Sequence, residues 1–129
     1  MKSRKLSERY RPNATDRGYD AAWRRFSRPF LAARPSCLGC QAIGVTRQAT
    51  VVDHIVPHRG DPKLLWDPRN WQPLCEWHHN SIKAELERRF HLKQITAAEL
   101  AIASTTAVEL TRAKHQTAIG ADGYPIAGT

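Results

Sequence analysis

The stretch Val51-Val52-Asp53-His54-Ile55-Val56-Pro57-His58 places an acid and a histidine side by side in a β-branched run. β-Branched residues favour strands, and Pro57 ends strand pairing because proline has no amide donor. We therefore predict a strand over residues 50–56. Further along the chain comes the adjacent pair His78 and His79. An acid, a histidine and a distant histidine pair are a layout for holding a metal ion beside a general base.

The charge of the chain is strongly basic and uneven. Its 129 residues are enough for one domain, and they carry 20 Lys and Arg against 12 Asp and Glu. Residues 1–35 hold ten of these basic side chains and three acidic ones. Because each neutralised phosphate releases counterions, a basic chain is drawn to polyanions. Nucleic acid is therefore the expected partner.

The number of cysteines and the hydropathy of the chain indicate in which compartment the protein is expected. Three cysteines are an odd number, which fits metal-bound thiolates inside a cell better than a secreted disulfide framework. No apolar run approaches the roughly 20 residues that span a bilayer, and no apolar segment follows the basic start. We expect no membrane partner and no signal peptide.

The N-terminal part is predicted to be an arm followed by a helix. Residues 1–18 are basic without an apolar period, so we predict a flexible arm that either follows a DNA backbone or is a solvated tail. Over residues 20–33 the apolar side chains recur at helical spacing, with Arg24 and Arg25 on the other side. Pro29 should kink or split this helix. Core positions, rather than stacking platforms for bases, are expected for its large aromatic residues, Trp23, Phe26 and Phe30.

The rest of the chain alternates loops, strands and helices. Residues 63–69 are expected to be irregular or a single helical turn, and residues 70–74 a second strand. Good helix formers predict a helix over residues 75–90. A capping box, Thr-Ala-Ala-Glu, opens a further predicted helix over residues 96–115. Residues 91–129 thus contribute a C-terminal helix and a loose tail.

Four soft metal ligands occur as two pairs, each with two residues between its members: Cys37, Cys40, Cys75 and His78. Thiolate and imidazole suit zinc, and four protein ligands leave no open position, so a structural zinc is predicted. Cys37 and Cys40 alone would equally suit a redox pair, although the βαβ setting of such pairs is missing. The alternative for the whole set is three buried free cysteines and an unrelated histidine.

A second, different metal site is suggested by Asp53 and His79. One carboxylate and one imidazole leave positions for water and substrate oxygens, as a catalytic divalent ion requires. His54 follows Asp53 directly and points to the opposite side of a regular strand, so it is better assigned as the base.

Together these residues resemble the HNH endonuclease motif with a zinc-knuckle frame. The resemblance covers residues 19–90 and rests, besides the zinc ligands, on five residues: Asp53, His54, Asn70, His79 and Lys83. It implies an HNH nuclease domain over residues 19–90 with an α+β fold, a small ββα-metal finger with flanking helices stapled by a structural zinc. Many members have cysteine where this chain has His78, so His78 and His79 could exchange roles.

The resemblance implies a metal-dependent endonuclease that hydrolyses phosphodiester bonds in double-stranded DNA. His54 would take a proton from the attacking water. Asp53 and His79 would bind a divalent cation such as Mg²⁺, Mn²⁺ or Ni²⁺, which stabilises developing charge. Asn70 would hold a loop and orient His54. For His58 an exposed loop histidine is expected, with a spare metal ligand or a phosphate contact as the alternatives. Contacts to DNA, with solvated surface as the alternative, are proposed for Arg59, Lys83, Arg24 and Arg25.

Similar small HNH proteins are encoded in phages and prophages, which implies DNA packaging with the phage large terminase subunit in the cytoplasm of a bacterial host cell. Two other classes stay open. One is a zinc-stabilised DNA-binding module without catalysis, against which the set of Asp53, His54, Asn70 and His79 argues. The other is an adaptor that docks on a partner through its C-terminal helix.

Overall fold

A two-stranded antiparallel ribbon, β1 (Val51–His54) and β2 (Trp71–Leu74), lies at the centre of the fold. The computed structural model describes residues 14–118, with side chains for residues 20–115. The second strand is confirmed. The first is shorter than the predicted 50–56, because the amide of Val56 bonds to the side chain of Asn70 instead of a strand. Helices around one small sheet make an α+β fold, as predicted.

The N-terminal helix, α1 (Ala14–Ala33), is longer than predicted. It takes in residues 14–18, which were predicted to belong to the arm, and the remaining arm residues, 1–13, lie outside the described part of the chain. The helix runs on through Pro29 and is not split there. Proline costs the helix the amide bond back to Arg25. The free energy gained by burying aromatic side chains of the helix, such as Phe30, opposes the loss of that hydrogen bond.

Short helices connect the parts of the ribbon. The first, α2 (Leu38–Gln41), lies between Cys37 and the ribbon, and α3 (Pro62–Leu65) with a 3₁₀ turn (Pro68–Asn70) links the two strands. After β2 the chain forms a π-helical turn (His78–Lys83) that continues into α4 (Ala84–His91). The predicted helix over residues 75–90 is therefore present, with an irregular first part.

The predicted single helix over residues 96–115 is wrong. The capping box does form, but it opens only a 3₁₀ turn (Ala97–Leu100), and the true helix is α5 (Thr105–Ala118). Leu100 and Ile102 are both buried. In a helix, two residues at this spacing would point to opposite sides, so they could not both face the core. Ser104 then caps the new helix, since its hydroxyl accepts from the amide of Ala107.

The core joins the ribbon, the cysteine cluster and the C-terminal elements. Its innermost aliphatic side chains are fully buried: Leu74, Ile82, Leu86, Leu100 and Ile102. Of the α1 aromatic residues, Phe30 is buried, Trp23 is half-buried and Phe26 is 51% exposed. The core prediction is thus wrong for Phe26, whose ring meets Trp66 edge-on but stays half exposed. Within residues 14–118, none of the helices has the length and apolar character needed to cross a bilayer.

Candidate metal centre and active site

The four predicted zinc ligands meet in one buried cluster. His78 Nδ1 lies 3.6 Å from Cys37 Sγ, 3.5 Å from Cys40 Sγ and 3.6 Å from Cys75 Sγ, and the sulfurs of Cys40 and Cys75 are 3.8 Å apart. A tetrahedron with bonds of about 2.3 Å to sulfur and about 2.05 Å to nitrogen has S–S edges of about 3.8 Å and S–N edges of about 3.6 Å. These four distances match a zinc site, and all four ligand atoms lie within 4.8 Å of one another, so the cluster could hold that ion.

Gly39 and Thr111, of which sequence reasoning missed only Thr111, shape the position of His78. A Cβ atom on Gly39 would lie 2.3 to 2.7 Å from the His78 ring, so only glycine fits between the first two cysteines here. On the other side, Thr111 Oγ1 of α5 lies 3.4 Å from His78 Nε2. Such a contact on the free ring nitrogen fixes the tautomer that leaves Nδ1 for the metal.

The thiols of the cluster titrate very differently without a cation. A hydrogen bond with Cys75 and burial raise the pKa of Cys37, and burial with the nearby charge of Cys75 raises the pKa of Cys40 to about 11. The hydrogen bond with Cys37 lowers the pKa of Cys75 to about 3. One thiolate is thus stable alone, and a bound cation must displace the protons of the other two.

The second cluster forms around the carboxylate of Asp53, which is 5% exposed. Its Oδ2 accepts from Gln72 Nε2 at 2.8 Å and pairs with Lys83 Nζ at 3.1 Å. Its Oδ1 lies 3.6 Å from Nε2 of His79, whose side chain is 42% exposed. A divalent ion with bonds of about 2.1 Å can bridge that spacing at the open side. Asp53 and His79 could therefore hold an ion that keeps positions for other ligands.

The adjacent histidines are clearly separated. His78 is fully buried among the cysteines, whereas His79 faces Asp53. This is the arrangement that was first assigned to them. The π-helical turn begins at this pair, and such turns occur often at functional sites.

His54 lies on the other side of β1 from the Asp53 carboxylate. Its Nε2 donates to the carbonyl of Leu65 at 3.0 Å, so Nδ1 carries the free lone pair. The ring stacks on Trp23 with centroids 4.8 Å apart. Burial lowers the pKa of His54 from its ordinary value of 6.5. The imidazole is thus neutral near pH 7 and has one nitrogen able to accept a proton.

Asn70 fastens the loop that follows β1. Its amide nitrogen donates to the carbonyls of Val56 and Leu64 at 2.9 and 3.0 Å, and its oxygen accepts from the amide of Val56 at 2.9 Å. The neighbouring carbonyl of Leu65 is the one that accepts from His54. Asn70 therefore holds the loop as predicted, next to the carbonyl to which His54 donates.

The structure separates the predicted DNA contacts into two groups. Lys83 is 1% exposed, and its ammonium donates to the His54 carbonyl and to Glu87 while it pairs with Asp53. A phosphate contact does not fit this burial, so that prediction is corrected. The side chains that do face solvent are Arg24, Arg25 and Arg59.

His58 is less exposed than predicted. It is half-buried, and its ring contacts the ring of His54 edge-on at 4.8 Å. Gln72 is a further residue that sequence reasoning missed. It stands opposite Asp53 in the ribbon, and its side chain also accepts from the amide of Ile102. The strand register could have revealed this pairing.

Comparison with protein-family models, with curated proteins and with solved structures finds no match for this chain. Its function must therefore be inferred from its own residues.

Proposed function

We propose that this protein is a metal-dependent DNA endonuclease of the HNH class, a ββα-metal nuclease stapled by zinc. The observation that carries the proposal is the presence of two functional groups at consecutive residues of β1. Asp53 Oδ1 lies 3.6 Å from His79 Nε2, where the two residues could hold a cation, and the next residue, His54, has a free Nδ1. A structural zinc alone would require neither group.

His54 acts as the general base. Its Nε2 proton is held by the Leu65 carbonyl, so Nδ1 takes the proton of the water that attacks the scissile phosphorus. Asn70 keeps that carbonyl in place through its bond to Leu64. Asp53 and His79 would hold a divalent cation such as Mg²⁺, Mn²⁺ or Ni²⁺, which would supply stabilisation of negative charge on the phosphate and the leaving oxygen. A single centre of this kind predicts a nick in one strand.

The basic surface supports DNA as the substrate. Arg24 and Arg25 are exposed on α1, the helix whose Trp23 stacks on His54. Arg59 is exposed in the loop that Asn70 fastens. These exposed side chains supply the positive charge that a DNA backbone requires.

The test is nicking of supercoiled plasmid by zinc-loaded protein with added Mg²⁺, Mn²⁺ or Ni²⁺. We expect His54→Ala to reduce nicking by roughly a hundredfold or more, since that is the usual contribution of a general base. The exposed His91→Ala is the matched control and should cut like the wild type. Equal cutting by His54→Ala and wild type would refute the role of His54.

A second candidate is the non-catalytic zinc-stabilised DNA-binding module, and one observation favours it. The Asp53 carboxylate already has partners in Lys83 and Gln72, so it has a structural part without any ion. A module of this kind would bind DNA and cut with none of the three metals. If it is a nuclease, Asp53→Asn should abolish cutting and leave DNA affinity unchanged.

We also propose, from the resemblance alone, that the nuclease assists a phage large terminase in the cytoplasm of a bacterial host. Co-purification of the two proteins and terminase-dependent stimulation of nicking test this. Nicking that is unchanged by any large terminase offered would count against it.

A further inference from the structure

An open aromatic groove lies beside His54, on the side of β1 away from the Asp53 carboxylate. It encloses about 590 Å³, within the roughly 300–1,000 Å³ of small-molecule sites. Apart from two prolines, five residues line it: Phe26, Phe30, Arg34, Trp66 and Trp71. Phe26 is 51% exposed at the groove, a large apolar side chain that the core does not use.

The groove wall is coupled to the predicted base through shared contacts. Trp71 Nε1 and His54 Nε2 donate to the same carbonyl, that of Leu65, at 2.9 and 3.0 Å. Trp23 stacks on His54 and meets the Trp71 ring edge-on at 5.0 Å. The wall of the groove and the predicted base therefore belong to one packed group of rings.

The charge around the groove indicates the kind of ligand. Between residues 20 and 34 the chain carries four arginines and one aspartate. One of them, Arg34, belongs to the groove itself, and its guanidinium lies 4.2 Å above the Phe30 ring. Aromatic faces bordered by cations are the chemistry of single-stranded nucleic acid sites, where bases stack on rings and phosphates meet the charges.

We propose that this groove binds an unpaired nucleobase of the DNA strand that passes His54. The proposal rests on the proposed function for its choice of DNA as the ligand. An intact duplex must unstack a base to fill the groove, so nicked, gapped or single-stranded DNA binds more tightly than a perfect duplex. The groove thus gives the enzyme a preference for distorted or partly unwound substrate.

The test compares the affinity of full-length, zinc-loaded protein for a labelled single-stranded oligodeoxynucleotide and for the same sequence as a blunt duplex. No catalytic cation is added, and a gel checks that the DNA stays intact. We expect Phe26→Ala to weaken single-strand binding on the order of tenfold, as loss of one stacking platform does, and to leave duplex affinity unchanged. Leu92→Ala is the matched control, because Leu92 is also 51% exposed but lies outside the groove.

Two further variants separate stacking from simple apolar docking. Phe26→Tyr should restore single-strand binding, whereas Phe26→Leu should not, because only an aromatic face stacks on a base. Full binding by Phe26→Leu, or an equal loss on single strand and duplex, would overturn the proposal and leave an apolar docking surface instead. This test measures binding without cutting, whereas the plasmid test measures cutting. The proposal for the groove can therefore be refuted while the proposed nuclease activity is upheld, and the activity can be refuted while the groove still binds single-stranded DNA.

Discussion

At the residue scale, the sharpest constraint is the space at Gly39. The structure shows why a glycine lies between the first two cysteines. The His78 ring occupies the volume that a side chain at this position would need. Backbone and imidazole thus approach each other directly, and the site has no room for any other residue.

We predict that Gly39→Ala weakens zinc binding by roughly tenfold to a hundredfold, the usual cost of disturbing the groups that orient a metal ligand. The added methyl would push His78 from its position at 3.5 to 3.6 Å from the sulfurs. Competition with a chromophoric chelator measures the affinity. Leu38→Ala, a change of the exposed neighbour in the same loop, is the control and should bind zinc normally. Unchanged affinity in Gly39→Ala would show that the ring can move aside.

The second prediction at this scale concerns the pH dependence of nicking. Burial lowers the pKa of His54 below 6.5 because the imidazolium is poorly solvated beside Trp23. The neutral base therefore persists as pH falls through 6.5, and the acid limb of the pH–rate profile should have its midpoint below that value. Trp23→Ala admits water and should move the limb upward, towards 6.5. A midpoint above 6.5 in the wild type would contradict the assignment of His54.

At the element scale, α5 is part of the zinc site and not a free appendage. Ala107 on its inner face is fully buried, and Thr111 reaches the His78 ring. An adaptor helix that docks on a partner would instead expose an apolar face. The contact with His78 ties the end of the described chain to the cysteines, which lie far earlier in the sequence.

We predict that Thr111→Val lowers zinc affinity by about tenfold, because the His78 ring loses the group that fixes its tautomer. The substitution keeps the shape of the side chain and removes the hydroxyl that lies 3.4 Å from Nε2. The same chelator competition measures it. Thr105→Val, the same change at an exposed position of α5, is the control. Equal affinities in both variants would mean that the hydroxyl does not act on the metal site.

At the scale of the whole molecule, the zinc cluster joins three parts of the chain: the segment after α1, the end of β2 and the start of the π-helical turn. All four ligands are buried at the centre of the core. Metal binding should therefore contribute to folding directly, on the order of 10 kcal/mol as in small zinc domains.

We predict that removing zinc with a chelator at pH 7 abolishes cooperative thermal unfolding, because the buried cluster then loses the free energy of metal binding. Circular dichroism at rising temperature measures the loss. Added Zn²⁺ should restore the transition and added Mg²⁺ should not, because thiolates are poor ligands for magnesium. A metal-free chain that still unfolds cooperatively at the same temperature would show that the cluster is dispensable for folding.

Three features could be predicted from the sequence: the four residues of the cysteine and histidine cluster, the second strand, and the separation of Asp53 from His54 across the first strand. These follow from local rules: the spacing of ligands along the chain, β-branched composition and the alternation of side chains on a strand. The burial of Lys83, the pairing of Gln72 with Asp53 and the break before α5 could not be predicted in this way. Each depends on a contact between segments far apart in sequence, where packing overrides the local preference of the residues involved.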